Sequence, residues 1–176
     1  SGAGNNAIAP YYIFSGQGNR YLNNDLSDAS GYALRISGDN QFEISGNDFS
    51  GSVNGIELQY VDAVTVSPDP GPGQMDIDVT AVAGIGLTLS SVTNSSFSSL
   101  DLSWTGAGTS GSGIKLIFSS GNTIEDLAIA NRDTGVYIYN SSDNSVVQST
   151  LYGNGTGIWI ANGIENSIRD NSIRSN

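Results

Sequence analysis

Repetition at a fixed short period constrains this chain more than any other feature. Gly113-Ile-Lys-Leu, Gly135-Val-Tyr-Ile and Gly157-Ile-Trp-Ile open three successive segments, each 22 residues after the last. Nine residues after each glycine stands an asparagine: Asn122, Asn144 and Asn166. Two residues later comes a branched aliphatic (Ile124, Val146, Ile168), and near the end of each segment another (Ile129, Leu151, Ile173). Such a pattern describes one structural unit stacked on copies of itself.

The spacing of the apolar residues selects the unit. Val136 and Ile138, like Ile158 and Ile160, stand two apart, which is strand alternation. Gly, Asn and Ser punctuate every few residues, where turns need residues that tolerate positive φ or bond their own backbone. No run shows helical periodicity, and the L-x-x-L-x-L signature of a leucine-rich repeat is absent. Short strands joined by tight turns, closing every 22 residues, predict an all-β, single-stranded parallel β-helix.

The frame extends backward. Gly31-Tyr-Ala-Leu and Gly84-Ile-Gly-Leu open further segments, with Asn40 and Asn94 near the asparagine offset. Gly55-Ile-Glu-Leu fits too, with Val64 where the asparagine belongs. Pro10 stands where a first glycine would, followed by Asn19. The expected rungs therefore open near residues 10, 31, 55, 84, 113, 135 and 157, about seven in all. The steps from Gly55 to Gly84 and from Gly84 to Gly113 are 29 residues each. The excess is assigned to loops around Ser67–Asp76, which holds three prolines, and around Thr105–Ser112.

Asn166-Ser-Ile-Arg-Asp-Asn-Ser-Ile, with Asn19 to Leu26 behind it, resembles the N-x-I-x-x-N-x-I rungs of right-handed parallel β-helix repeat proteins, the pectate-lyase-like superfamily. The resemblance spans nearly the whole chain and implies the fold. It implies little about activity, because lyases, hydrolases, epimerases, tailspikes and adhesins share such rungs. It also implies that any saccharide groove lies on the outward face of the sheet that follows the glycines.

Composition narrows the function classes. The chain has 176 residues, the size of one domain, here residues 1–176 and expected to be a piece of a longer protein. Its six basic residues are scattered and its net charge is −11, so nucleic acid is not an expected partner. No apolar run reaches membrane-spanning length, so no membrane insertion is expected. With no cysteine and no histidine, the commonest general base and metal ligand are missing. An extracellular or cell-surface bacterial protein is the expectation, with neighbouring domains of the same parent chain as partners.

Strand alternation sorts the residues after each glycine. Those one and three past it are expected inward: Tyr32 and Leu34, Ile56 and Leu58, Ile85 and Leu87, Ile114 and Leu116, Val136 and Ile138, Ile158 and Ile160. Those two and four past it are expected outward: Tyr12 and Phe14, Ala33 and Arg35, Glu57 and Gln59, Gly86 and Thr88, Lys115 and Ile117, Tyr137 and Tyr139, Trp159 and Ala161. Tyr137, Tyr139 and Trp159 then form an aromatic patch beside Lys115, suited to the apolar faces of sugar rings. Gly86 would leave a dip, walled by Glu57 and Gln59 on one side and Lys115 on the other. The expected ligand-binding set is Tyr137, Tyr139, Trp159, Lys115, Glu57, Gln59 and Arg35. Outward aromatics also arise simply from cross-strand pairing, or from contact with another domain.

Support for catalysis is thin. The Gly-His-Gly motif of polygalacturonases needs histidine. Asp69-Pro70 is followed by Gly71, unlike the Asp-Pro-His-Asp motif of mannuronan epimerases. Lys115, Glu57 and Tyr137 are the residues an acid–base reaction would use; no cofactor is expected, with Asp69, Asp76 and Asp78 the candidates if Ca²⁺ is held. The expected function is a non-catalytic β-helix module binding polysaccharide through the patch. The alternatives are a lyase or epimerase relative acting on uronic-acid polymers, and a structural stalk or adhesin segment.

Overall fold

The computed structural model describes residues 16–67 and 82–176, and every regular element within them is a strand. All pairings are parallel, in sheets of eight, seven and three strands. The main sheet sets Tyr32–Ser37, Asn54–Asp62, Ile85–Thr93, Ser112–Ile117, Thr134–Tyr139 and Thr156–Ala161 side by side in chain order. The second runs the same way from Arg20–Leu22 to Ser167–Arg169, and the third joins Ala128–Ala130, Thr150–Tyr152 and Ser172–Arg174. The chain visits each sheet in turn and then starts the next rung, which is the parallel β-helix the repeat predicts. Pro10, Tyr12, Phe14, Asp69, Asp76 and Asp78 lie outside the described residues.

The core is a set of axial columns. Leu34, Ile56, Leu87, Ile114, Val136 and Ile158 form one, and Ile36, Leu58, Leu89, Leu116, Ile138 and Ile160 the next. Facing them from the second sheet are Ile44, Val66, Phe97, Ile124 and Val146. Each aliphatic taken from water contributes roughly 1.5–3 kcal/mol.

These registers correct the frame of two rungs. The residue aligned with Gly55 and Gly113 is Ala33 in one rung and Gly86 in another, two positions beyond Gly31 and Gly84. Tyr32 and Ile85 consequently leave the inward set and are only partly buried, while Ala33 and Gly86 are buried rather than outward. A two-residue slip preserves strand alternation, so the pattern alone does not detect it. What decides is that Leu34 with Ile36, and Leu87 with Leu89, bury completely. The longer steps change with the frame. The Val64 N–H reaches Ser95 Oγ, 31 residues on, and the Val92 N–H reaches Ser119 Oγ, 27 on.

Packing favours glycine at the start of the later rungs. A Cβ on Gly113 would lie 2.5 Å from Ile129 Cγ2 and 2.8 Å from the Gly135 carbonyl oxygen. There the chain enters the main sheet, and a bare Cα lets it pass close to Ile129, as Gly135 passes Leu151 and Gly157 passes Ile173.

The corners are single left-handed residues. One rung turns at Phe118, Gly121, Asp126 and Asn131, the next at Asn140, Asp143, Gln148 and Gly153, the last at Asn162, Glu165, Asp170 and Ser175. The positions repeat every 22 residues while the residue types do not. Closure of the rung therefore imposes the conformation, at roughly 1–2 kcal/mol for a residue with a Cβ.

Amide ladders hold the corners. Asn122 Nδ2 donates to Asn144 Oδ1 at 2.9 Å, and Asn144 Nδ2 to Asn166 Oδ1 at 3.1 Å. Ser95, Val64 and Phe42 continue this column toward the N-terminus. Asn40 and Asn94, assigned to it from spacing, lie elsewhere: the Asn40 side chain accepts the Asp62 N–H, and Asn94 Nδ2 donates to the Asp62 carboxylate. A second ladder joins Asn24 to Asn47, and a third Asn154 to Asn176.

In the third ladder Arg132 takes the place of an asparagine. Its N–H donates to Asn154 Oδ1 at 2.9 Å, and its side chain is 0% exposed. Nε donates to the Leu102 carbonyl at 2.6 Å and Nη1 to that of Val82 at 2.6 Å and of Gly84 at 3.2 Å. Nη2 reaches the Ser103 carbonyl at 3.3 Å. These carbonyls flank both long connections, where the regular ladder is interrupted. Burial pushes the guanidinium down to about 10, and the dipoles of the carbonyls stand in for water.

Candidate functional site

The outward face of the main sheet carries two columns. One reads Arg35, Glu57, Thr88, Lys115, Tyr137, Trp159, and the other Ser37, Gln59, Ser90, Ile117, Tyr139, Ala161. All seven residues expected to bind ligand are on this face, but they divide into two groups.

The first group is polar and tied to itself. Arg35 Nε lies 2.6 Å from Glu57 Oε2, and Gln59 Nε2 donates to Glu57 Oε1 at 3.1 Å. Glu57 is only 7% exposed although its strand faces outward. Tyr32 stands beside it, and burial together with the Glu57 carboxylate pushes its phenol above the ordinary range. Thr88, itself buried, occupies the register between Glu57 and Lys115. The dip expected at Gly86 is therefore filled, because the true frame places a threonine there.

The second group is aromatic. Tyr137 and Trp159 stack with ring centroids 4.4 Å apart and planes 14° from parallel. Tyr139 lies 6.4 Å from Trp159 and 6.5 Å from Tyr137. The Lys115 ammonium sits 5.1 Å from the Tyr137 centroid. Phe118, at the adjoining corner, meets Tyr139 edge-on at 6.4 Å. The spacing of adjacent strands sets this stacking, so the faces of Tyr137 point along the solenoid axis, toward Lys115 and Trp159. Trp159 is 39% exposed.

Of the three residues an acid–base reaction would use, Lys115 and Tyr137 touch, while Glu57 lies two strands away beyond Thr88 and is held by Arg35 and Gln59. Among the described residues no group of three or more acidic side chains is placed to hold a metal ion, and no helix is long and apolar enough to cross a membrane.

Phe118 and Tyr60 were not legible as surface features, because both lie at corners, outside strand alternation. Their signal is an aromatic five past the rung glycine, where other rungs carry Asn140 and Asn162.

Stacked parallel strands, left-handed corners and amide ladders define a solenoid of the β-helix class. A family model described as the right-handed beta helix region matches residues 74–176, more than half of the chain, and the chain belongs to that family. No curated protein and no solved structure matches it.

Proposed function

We propose that this chain is a non-catalytic β-helix module of a secreted or cell-surface protein, and that it binds polysaccharide on the outward face of its main sheet. The observation that carries this reading is the cluster of Phe118, Tyr137, Tyr139 and Trp159 with Lys115 on one side of the solenoid. Rings with apolar faces and polar edges suit carbohydrate. A sugar ring packs against the exposed part of the Trp159 side chain, and the phenol groups and Lys115 address its hydroxyls.

The test is Trp159→Ala. Its neighbours Ile158 and Ile160 retain the inward columns, so the fold persists, and affinity for the bound glycan falls about tenfold. Tryptophan fluorescence in a Trp104→Phe background reports binding directly, since the chain has two tryptophans. A signal unmoved by every neutral and acidic polysaccharide rejects the reading.

One observation favours a purely structural segment instead. Tyr137 is enclosed between Lys115 and Trp159, as in a ladder that only joins strands. In that case Tyr137→Ala lowers the melting temperature and no glycan binds.

A further inference from the structure

The corner that closes the main sheet repeats a left-handed residue in every rung: Gly38, Tyr60, Ser91, Phe118, Asn140 and Asn162, with φ between 46° and 73°. Glycine and asparagine occupy this conformation readily, and serine is small. Rung closure imposes the conformation whatever the residue, and an aromatic ring has no local preference for it. Neither ring is repaid by burial, since Tyr60 is 68% and Phe118 60% exposed.

The two rings stand in register one rung apart from Ser91 on either side. Two strand spacings of about 4.8 Å therefore separate them along the axis. That is close to the disaccharide repeat of an extended β-1,4-linked glycan, in which alternate sugars present the same face. Ser91 between the rings, and Asn140 beyond them, supply hydroxyl and amide groups. No member of the row is charged, while the chain carries a net charge of −11. A polyanion is repelled by that field and a neutral polymer is not. The row is continuous with the aromatic cluster through the Phe118–Tyr139 contact.

We infer that this corner is a linear subsite for a neutral β-1,4-linked polysaccharide lying parallel to the solenoid axis, gripped every second sugar by Tyr60 and Phe118. The inference rests on the polysaccharide reading above and narrows it to a polymer class, a direction and two residues.

The experiment measures binding of β-1,4-linked hexasaccharides of glucose, N-acetylglucosamine and mannose, with oligogalacturonate and oligomannuronate as acidic counterparts. The wild type is expected to bind at least one neutral oligomer more tightly than either acidic one. Tyr60→Asn and Phe118→Asn should each weaken it about tenfold, while Phe118→Tyr, which keeps the ring, retains it. Asparagine accepts the left-handed conformation, so the melting temperatures stay level or rise; Phe118→Gly serves if Asn lowers one. Wild-type affinity in the Tyr60→Asn, Phe118→Asn double variant overturns the corner subsite but leaves the polysaccharide reading standing. Binding of acidic oligomers alone overturns the neutral class and again leaves that reading. Binding of none removes both.

Discussion

At the residue scale, stability is concentrated in a few buried polar side chains. Asn144 is the clearest case. Its Nδ2 serves the Ser119 and Ser142 carbonyls and Asn166, and its Oδ1 accepts from both the backbone N–H and Nδ2 of Asn122. Asn144→Ala leaves several of these groups without partners in a dry corner, so it should cost about 2–3 kcal/mol by denaturant titration. An unchanged midpoint would mean that water replaces the amide. Arg132 holds more together. Arg132→Leu strands carbonyls on both sides of the two long connections and should cost about 3–5 kcal/mol. Arg132→Lys should recover little, because three donors on a flexible stem cannot match the guanidinium fork. The sequence showed the column of Asn122, Asn144 and Asn166 because it repeats at one interval. Arg132 was hidden because it departs from another: Asn154 and Asn176 sit 19 past their glycines, as Arg132 does, but the exception is visible only once the column is known.

At the element scale, the rung glycine limits how each strand enters the main sheet. A Cβ on Gly135 would sit 2.6 Å from the Gly157 carbonyl oxygen and 2.9 Å from Leu151 Cδ2. The oxygen belongs to a paired backbone and cannot withdraw cheaply, so Gly135→Ala should destabilise by about 1–3 kcal/mol. Ala33 holds the equivalent position in an earlier rung and is buried without exposure, which shows that the restriction depends on what faces it. A melting curve for Gly135→Ala that overlays the wild type would contradict the steric account. The same elements mark where sequence reading succeeds and where it slips. The three uninterrupted rungs from Gly113 onward were legible because every column recurs at one interval. The rungs of Gly31 and Gly84 were misread by two residues because strand alternation looks the same after that slip. The consequence reached the site, where Thr88 fills a position assigned to Gly86.

At the scale of the whole molecule, the strands of each rung pair only with those of adjacent rungs, with Arg132 reaching one rung further, so opening should spread along the axis rather than occur all at once. The strands Ser112–Ile117 and Thr134–Tyr139 are packed between neighbouring strands on both sides, and Ile114, Leu116, Val136 and Ile138 are fully buried. Amide hydrogen exchange should therefore be slower along Ser112–Ile117 and Thr134–Tyr139 than at exposed corners such as Phe118 and Tyr60. Uniform exchange across these rungs would indicate a single cooperative unit.

The sequence by itself determined the architecture: a period of 22 residues, strand alternation and turn-forming residues admit one stacked parallel solenoid, and each is a local property repeated until it is unmistakable. It also placed Tyr137, Tyr139, Trp159 and Lys115 on one face, because all four lie in uninterrupted rungs. Tertiary structure alone decided the register across the two long connections, the collection of carbonyls by Arg132, and the stacking that turns the face of Tyr137 toward Trp159. Those features depend on which residues of non-adjacent segments arrive side by side. That is set by burial of whole columns, and no local pattern records it.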